Sequence, residues 1–160
     1  MARLAALGRR RSVRALLQRA IRARVTIGDE VVGEIGEGLV VLLGVSRTDT
    51  DATADALARQ IVELRIFRDD EGRTNRSLVD VGGEALVVSQ FTLYADTSRG
   101  RRPGFTQAAL PDEAERLYER FAETLGSSGV RVATGRFGAE MSVELTNDGP
   151  FTIWLDSEDR

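Results

Sequence analysis

Apolar residues recur along this chain with two periods, and each period predicts a different element. Over 51–65, Ala54, Leu57, Ala58, Ile61 and Leu64 fall at the spacing of a helix with one buried face, behind Asp and Thr residues suited to capping its free N–H groups. The spacing returns after Pro111, where Leu117, Tyr118, Phe121 and Leu125 form a stripe. Asp112, Glu113 and Glu115 suit the positive end of that helix, and Gly126 stops it. Residues 23–27 and 30–35 flank Gly28-Asp29, a two-residue hairpin loop, and 39–45 is a continuous apolar run of buried-strand length. Further strands are predicted at 84–90, 130–134, 140–146 and 151–155. In the third of these Met141, Val143 and Leu145 alternate with Ser142, Glu144 and Thr146. Segment 13–21 is the awkward one, because Val13, Leu16, Leu17, Ala20 and Ile21 sit at helical spacing. The sum is an α+β fold: one domain over 13–160, with a mostly antiparallel, barrel-like sheet and two amphipathic covering helices.

Composition narrows the chemistry. The chain has 160 residues, no histidine and no cysteine, which excludes Ser-His-Asp and Cys-His units, disulfides and the common zinc sites. No metal and no cofactor are expected. All 22 basic residues are arginine, so neither a P-loop lysine nor a Schiff base is available. The longest apolar run, 39–45, is far short of the roughly 20 residues that cross a bilayer as a helix. The net charge of −3 hides eight arginines and no acid within 1–24. A polyanionic partner therefore needs a local basic patch, and Arg99, Arg101 and Arg102, on a loop with Gly100 and Pro103, supply one. Residues 1–12 read as a dispensable extension or a misassigned start, with a transit peptide or basic arm as the alternative.

Two segments stand apart from this scaffold: Ser89-Gln90-Phe91-Thr92-Leu93 after a hydrophobic strand, and Asn147-Asp148-Gly149-Pro150-Phe151-Thr152 near the C-terminus. With Leu17-Gln18-Arg19, Gly33-Glu34-Ile35-Gly36, Arg65-Ile66-Phe67, Val81-Gly82-Gly83, Ala95-Asp96-Thr97, Arg102-Pro103 and Gly135-Arg136-Phe137-Gly138-Ala139, they make the chain resemble the D-aminoacyl-tRNA deacylase family over 14–155. The resemblance turns 13–21 from a helix into a strand. It implies a cytoplasmic homodimer that hydrolyses the ester of D-aminoacyl-tRNA, and of glycine mischarged onto alanine tRNA, with no membrane and no DNA partner. It also implies that Gly149-Pro150, joined by a cis bond, enters the partner's active site and excludes L side chains. Asn147 and Thr152 flank that element, and Phe137, Gly138, Ala139 and Met141 line the pocket for the terminal adenosine. Two positions depart from the family pattern: Gly104 replaces a frequent serine, and Phe151 a smaller valine.

Read without the family, Ser89–Leu93 is a strand end and Gly149-Pro150 a tight turn, since only about 5–6% of X-Pro bonds in folded proteins are cis. With it, Ser89, Gln90, Phe91 and Thr92 become the catalytic segment. Backbone N–H groups near Phe91 and Thr92 face the ester carbonyl, and Gln90 orients the substrate. Thr92 has no histidine or lysine to activate it, so the vicinal 2′-hydroxyl of the substrate is expected to assist water instead. An RNA 3′-end binding module without catalysis is the alternative. A small-molecule esterase is disfavoured because it would need a protein base that the chain lacks.

Overall fold

The computed structural model describes residues 13–157, so the expected 1–12 extension lies outside the described residues. In chain order the elements are β1 (Arg14–Ile27), β2 (Glu30–Ile35), β3 (Gly38–Gly44), α1 (Asp51–Glu63), β4 (Phe67–Arg68), β5 (Thr74–Arg76), β6 (Glu84–Ser89), a 3-10 turn (Phe91–Tyr94), α2 (Pro111–Ser127), β7 (Arg131–Thr134) and β8 (Ser142–Asp156). β1 is the spine. Its first half pairs with β3 and its second with β2, while β8 runs along its other side, all antiparallel. β3, β6 and β7 are parallel neighbours, which the helices make possible by carrying the chain back between strands. A small β4–β5 hairpin completes the set.

The helical spacing in 13–21 was misleading for a local reason. Val13, Ala15, Leu17 and Arg19 are buried on one face, an alternation of period two that hides because Arg19 is polar, Leu16 is only half-buried and Ala20 is buried in the second core. Ile21 is then left out of register, since Ala20 pairs with Asn147 and Arg22 with Thr146, and its side chain is pushed outward.

One core lies between the sheet and the helices, where Leu17, Leu39, Leu57, Ile61, Leu117 and Phe121 meet; a second, smaller one fills the concave side around Val25, Val40, Leu86 and Val88. Thr50 caps α1, its hydroxyl accepting from Thr53 N while Thr53 Oγ1 accepts from Thr50 N. Pro111 opens α2, as the sequence predicts. The two helices are held together by Arg116 on Asp51 at 2.6 Å and Arg120 on Asp55 at 2.9 Å, with Thr124 donating to Asp55 at 2.8 Å.

The strands predicted at 140–146 and 151–155 are one strand of 15 residues. It contains Gly149-Pro150, whose peptide bond is cis. No helix among the described residues is long and apolar enough to cross a membrane.

Candidate active site

Because β3, β6 and β7 run parallel, their C-terminal ends share one edge of the sheet, and two of the segments singled out in the sequence leave from it. Ser89 ends β6, the Gln90 N–H makes a last sheet bond to Leu43 O at 2.7 Å, and the chain then coils into the 3-10 turn. The first N–H groups of such a turn, those of Phe91 and Thr92, find no acceptor within it. The turn sits directly on the end of β3. A Cβ on Gly44 would come within 3.1 Å of Leu93 Cβ and 3.2 Å of the Tyr94 ring, so any larger residue would push the turn outward by a few tenths of an ångström. Arg14 clamps the turn from the other side: it donates to Leu93 O at 3.0 Å and to Asp156 Oδ2 at 3.0 Å, with its guanidinium over the Tyr94 ring. The Thr92 hydroxyl is exposed. Its partner is the Gln90 side-chain amide, a donor that cannot take a proton.

From β7 the second segment continues beside the first, the Gly135 N–H still bonding to Val87 O at 3.2 Å. Met141 folds under it, its sulfur accepting from Arg136 N at 3.3 Å. The half-buried Phe137 ring turns to Tyr118 of α2, centroids 6.1 Å apart, and Tyr118 in turn donates to Val87 O. Phe137 thus anchors the loop by its ring, and Gly138 and Ala139 form the loop's outer bend, closed by Ala139 N to Arg136 O at 3.2 Å.

Gly149-Pro150 stands elsewhere. Between the pairs Gln18–Thr152 and Ala20–Asn147, four residues of β8, Asp148 to Phe151, oppose the single residue Arg19. Asn147 carries the ladder past this bulge: its side chain donates to Arg19 O and Phe151 O and accepts from Phe151 N at 3.1 Å. Arg19 fills the space behind. Only 4% exposed, it donates to Ile66 O at 2.8 Å and Asp148 O at 3.2 Å, and lies over the Phe151 ring at 4.6 Å. Burial, and then the nearby Arg68, pull its pKa down, while the Asp148 carboxylate, shared with Arg68 at 2.8 Å, opposes this. Gly149 has φ +136°, and a Cβ there would lie 3.0 Å from Phe151 N and 3.1 Å from Arg19 Nη2.

Register shows how far apart these pieces are. Ser89 is level with Leu43, Ala15 and Leu155, so Pro150 lies five residues along β8 and three strands across from the Ser89 end of β6. A single copy does not bring Gly149-Pro150 to the turn. A surface groove of about 1350 Å³ between β2, β7 and the first half of β8 is lined by Gly33-Glu34-Ile35-Gly36 of the resemblance but by none of the expected site residues. Thr152 is exposed on β8 and receives the Gln18 amide at 3.4 Å.

The loop that bears Arg99, Arg101 and Arg102 is pinched shut at its base by reciprocal Asp96–Gly104 backbone bonds of 2.7 and 2.9 Å. Its return is fastened to the end of β3 by Arg47 N to Gln107 O and Ala109 N to Val45 O. The three arginines are exposed, and none pairs with a carboxylate among the described residues.

Residues 16–156 match the family model described as D-Tyr-tRNA(Tyr) deacylase. The chain belongs to that family. It is 60% identical over 146 residues to a D-aminoacyl-tRNA deacylase of Symbiobacterium thermophilum, covering 91% of this chain and 97% of the relative. It is 61% identical over 144 residues to one of Dinoroseobacter shibae, covering 90% and 99%. Among solved structures, a c-Myc DNA unwinding element binding protein superposes with a TM-score of 0.84 at 41% identity, over 89% of this chain and 97% of that one. A probable eukaryotic D-amino acid tRNA deacylase does so at 0.80 and 22% identity, over 91% and 99%, and attests the fold alone. As a deacylase the chain is an ester hydrolase, and its sheet with two covering helices is the family's fold. Arg14, Arg19, Gly44 and Arg68 were not singled out as site residues from the sequence. Arg19 was in view as part of Leu17-Gln18-Arg19, but its burial was not.

Proposed function

We propose that this chain is a chiral proofreader: it hydrolyses the ester of D-aminoacyl-tRNA, and of glycine carried by alanine tRNA, and acts as a homodimer in the cytoplasm. The observation that carries the proposal is the separation of the Ser89–Thr92 turn from Gly149-Pro150 within one copy. Each is rigidly built and exposed where it stands, and a two-fold pairing supplies each site with the other subunit's Gly149-Pro150. Exposed Trp154 and Ile21, on the two strands that carry the bulge, give such a pairing apolar surface.

In this reading the ester carbonyl oxygen accepts from the Phe91 and Thr92 N–H groups, which stabilise the negative charge that grows on it as water attacks. The Gln90 amide holds the Thr92 hydroxyl and the substrate in place. Water loses its proton towards the vicinal 2′-hydroxyl of the ribose, the ester C–O bond breaks, and the 3′-oxygen leaves with a proton. Gly138, Ala139 and Met141 border the terminal nucleoside, and Arg99, Arg101 and Arg102 meet phosphates further up the acceptor end without reading sequence. The partner's Gly149-Pro150 carbonyls accept from the substrate amine and leave room for hydrogen or a D side chain only, so L substrates are rejected sterically.

Deacylation of D-tyrosyl-, L-tyrosyl- and glycyl-tRNA tests the reading. Rapid loss of the first and third esters with the second intact is expected. Protection of all three would replace the enzyme by a binder of RNA 3′ ends.

A further inference from the structure

The exposed aromatic surface beside the catalytic turn has no use in the chemistry above. Phe91 is 55% exposed although it follows a buried strand, and its ring meets that of Phe105 edge-on, with centroids 5.0 Å apart and planes at 69°. Phe105 follows Gly104, at the base of the pinched loop whose tip carries Arg99, Arg101 and Arg102. Those arginines have no carboxylate partner among the described residues, and the three of them are exposed together on one short loop. Unneutralised cations next to an exposed π-face are the combination that holds unpaired nucleotides, the cations following the phosphates while the rings take the bases.

We infer that Phe91 and Phe105 form a stacking platform for the base immediately 5′ of the terminal adenosine, with the Arg99–Arg102 loop holding the phosphates on that base's 5′ side. The inference rests on the reading that the ester lies at the Phe91–Thr92 N–H groups. With the terminal ribose there, the strand leaves the turn past Phe91, and the first base beyond it meets the Phe91–Phe105 corner before the arginine loop. Recognition is by a π-face, so any of the four bases is accepted but a missing base is not. Phe105 is held independently of the substrate: the loop return is bonded to Val45 and Arg47 just past β3, and Asp49, buried ahead of the α1 N-cap, accepts from Ser46 N at 2.7 Å to fix that segment. The platform is therefore formed before RNA arrives, and little ordering cost falls on binding.

The test uses an acceptor-stem RNA hairpin ending in an unpaired ACCA, and the same hairpin with an abasic residue before the terminal adenosine. Both are titrated against the full chain by fluorescence anisotropy. The intact hairpin is expected to bind wild type about ten-fold more tightly than the abasic one, a typical worth for one stacked base. Phe105→Leu, which keeps bulk but removes the π-face, should abolish the difference, and Phe105→Trp should restore it. Replacing the three arginines by glutamine should weaken both hairpins alike and flatten the salt dependence. Equal binding of the two hairpins by wild type, or a difference that survives Phe105→Leu, overturns the platform. Because the readout is binding, it is separate from the deacylation assay: a chain that stacks the base without cleaving the ester keeps the platform and loses the proposed reaction.

Discussion

At Thr92 the question is whether a hydroxyl bonded only to an amide donor can attack an ester. Without a base it cannot do so efficiently, so Thr92→Ala should retain at least about a tenth of the wild-type deacylation rate, general-base assistance being worth 10²–10⁴-fold where it operates. A tRNA ending in 2′-deoxyadenosine should be essentially inert. A dead, folded Thr92→Ala protein alongside a reactive deoxy substrate would make the threonine the nucleophile. Arg19 poses the opposite problem, a buried charge that reaches two separate carbonyls and a ring. A lysine is a point donor and cannot span Ile66 O and Asp148 O together. Arg19→Lys should therefore cost about 2 kcal/mol in urea unfolding, as losing a hydrogen bond from a charged donor does, and should lower D-substrate turnover further than that loss of stability explains. Gly149 is less informative than its sequence suggests. A Cβ there strikes Phe151 and Arg19 of its own chain first, so loss of activity in Gly149→Val would report distortion of the bulge before any intrusion on a pocket.

Among the elements, both helices were legible because each has one apolar stripe and an unambiguous N-terminus at Thr50 and Pro111. β1 and β8 were harder. Each contains an irregularity that breaks its alternation, Ile21 in one and Asp148–Phe151 in the other, and a bulge moves later residues to the opposite face. The resemblance to the family corrected β1, whereas β8 looked like two strands because Gly-Pro signals a turn unless something outside the backbone bridges it. That bridge is the Asn147 side chain, which no period can reveal. The proposed site divides the same way: Ser89–Thr92 is a strand end by residue type and stands out only through the resemblance, while the clamps Arg14 and Arg19 act through contacts distant in sequence. On the helical face, Arg120 first and then Thr124 hold Asp55 well below its ordinary value of 3.8, at about 2. A depressed carboxylate stabilises the fold above its unfolded pKa and ceases to as pH falls through the folded one. Asp55→Asn should thus lower stability by about 1 kcal/mol at pH 7, discounting for solvent screening, with the difference fading between pH 4 and 2. Parallel thermal melts at pH 7, 4 and 2 read this directly.

For the whole molecule, Val13 already belongs to the sheet, its N–H donating to Ser157 Oγ at 2.8 Å and its carbonyl accepting from Ser157 N. A chain with Met placed before Val13 should therefore fold and deacylate like the full one, and a clear loss of either would give 1–12 a working role. A larger consequence follows from the position of β8. Through Asp156 and Arg14 its far end steadies the turn of its own chain, while in the proposed dimer its bulge would serve the other subunit. A chain crippled at Arg14 and a chain crippled at Arg19 are thus deficient in different halves of the shared work. Each should be nearly inactive alone, yet co-refolding the two should revive deacylation, because every mixed pair contains one site with a sound turn and a sound bulge. Placing both lesions in one chain and mixing it with wild type should leave the mixed pairs with no sound site at all.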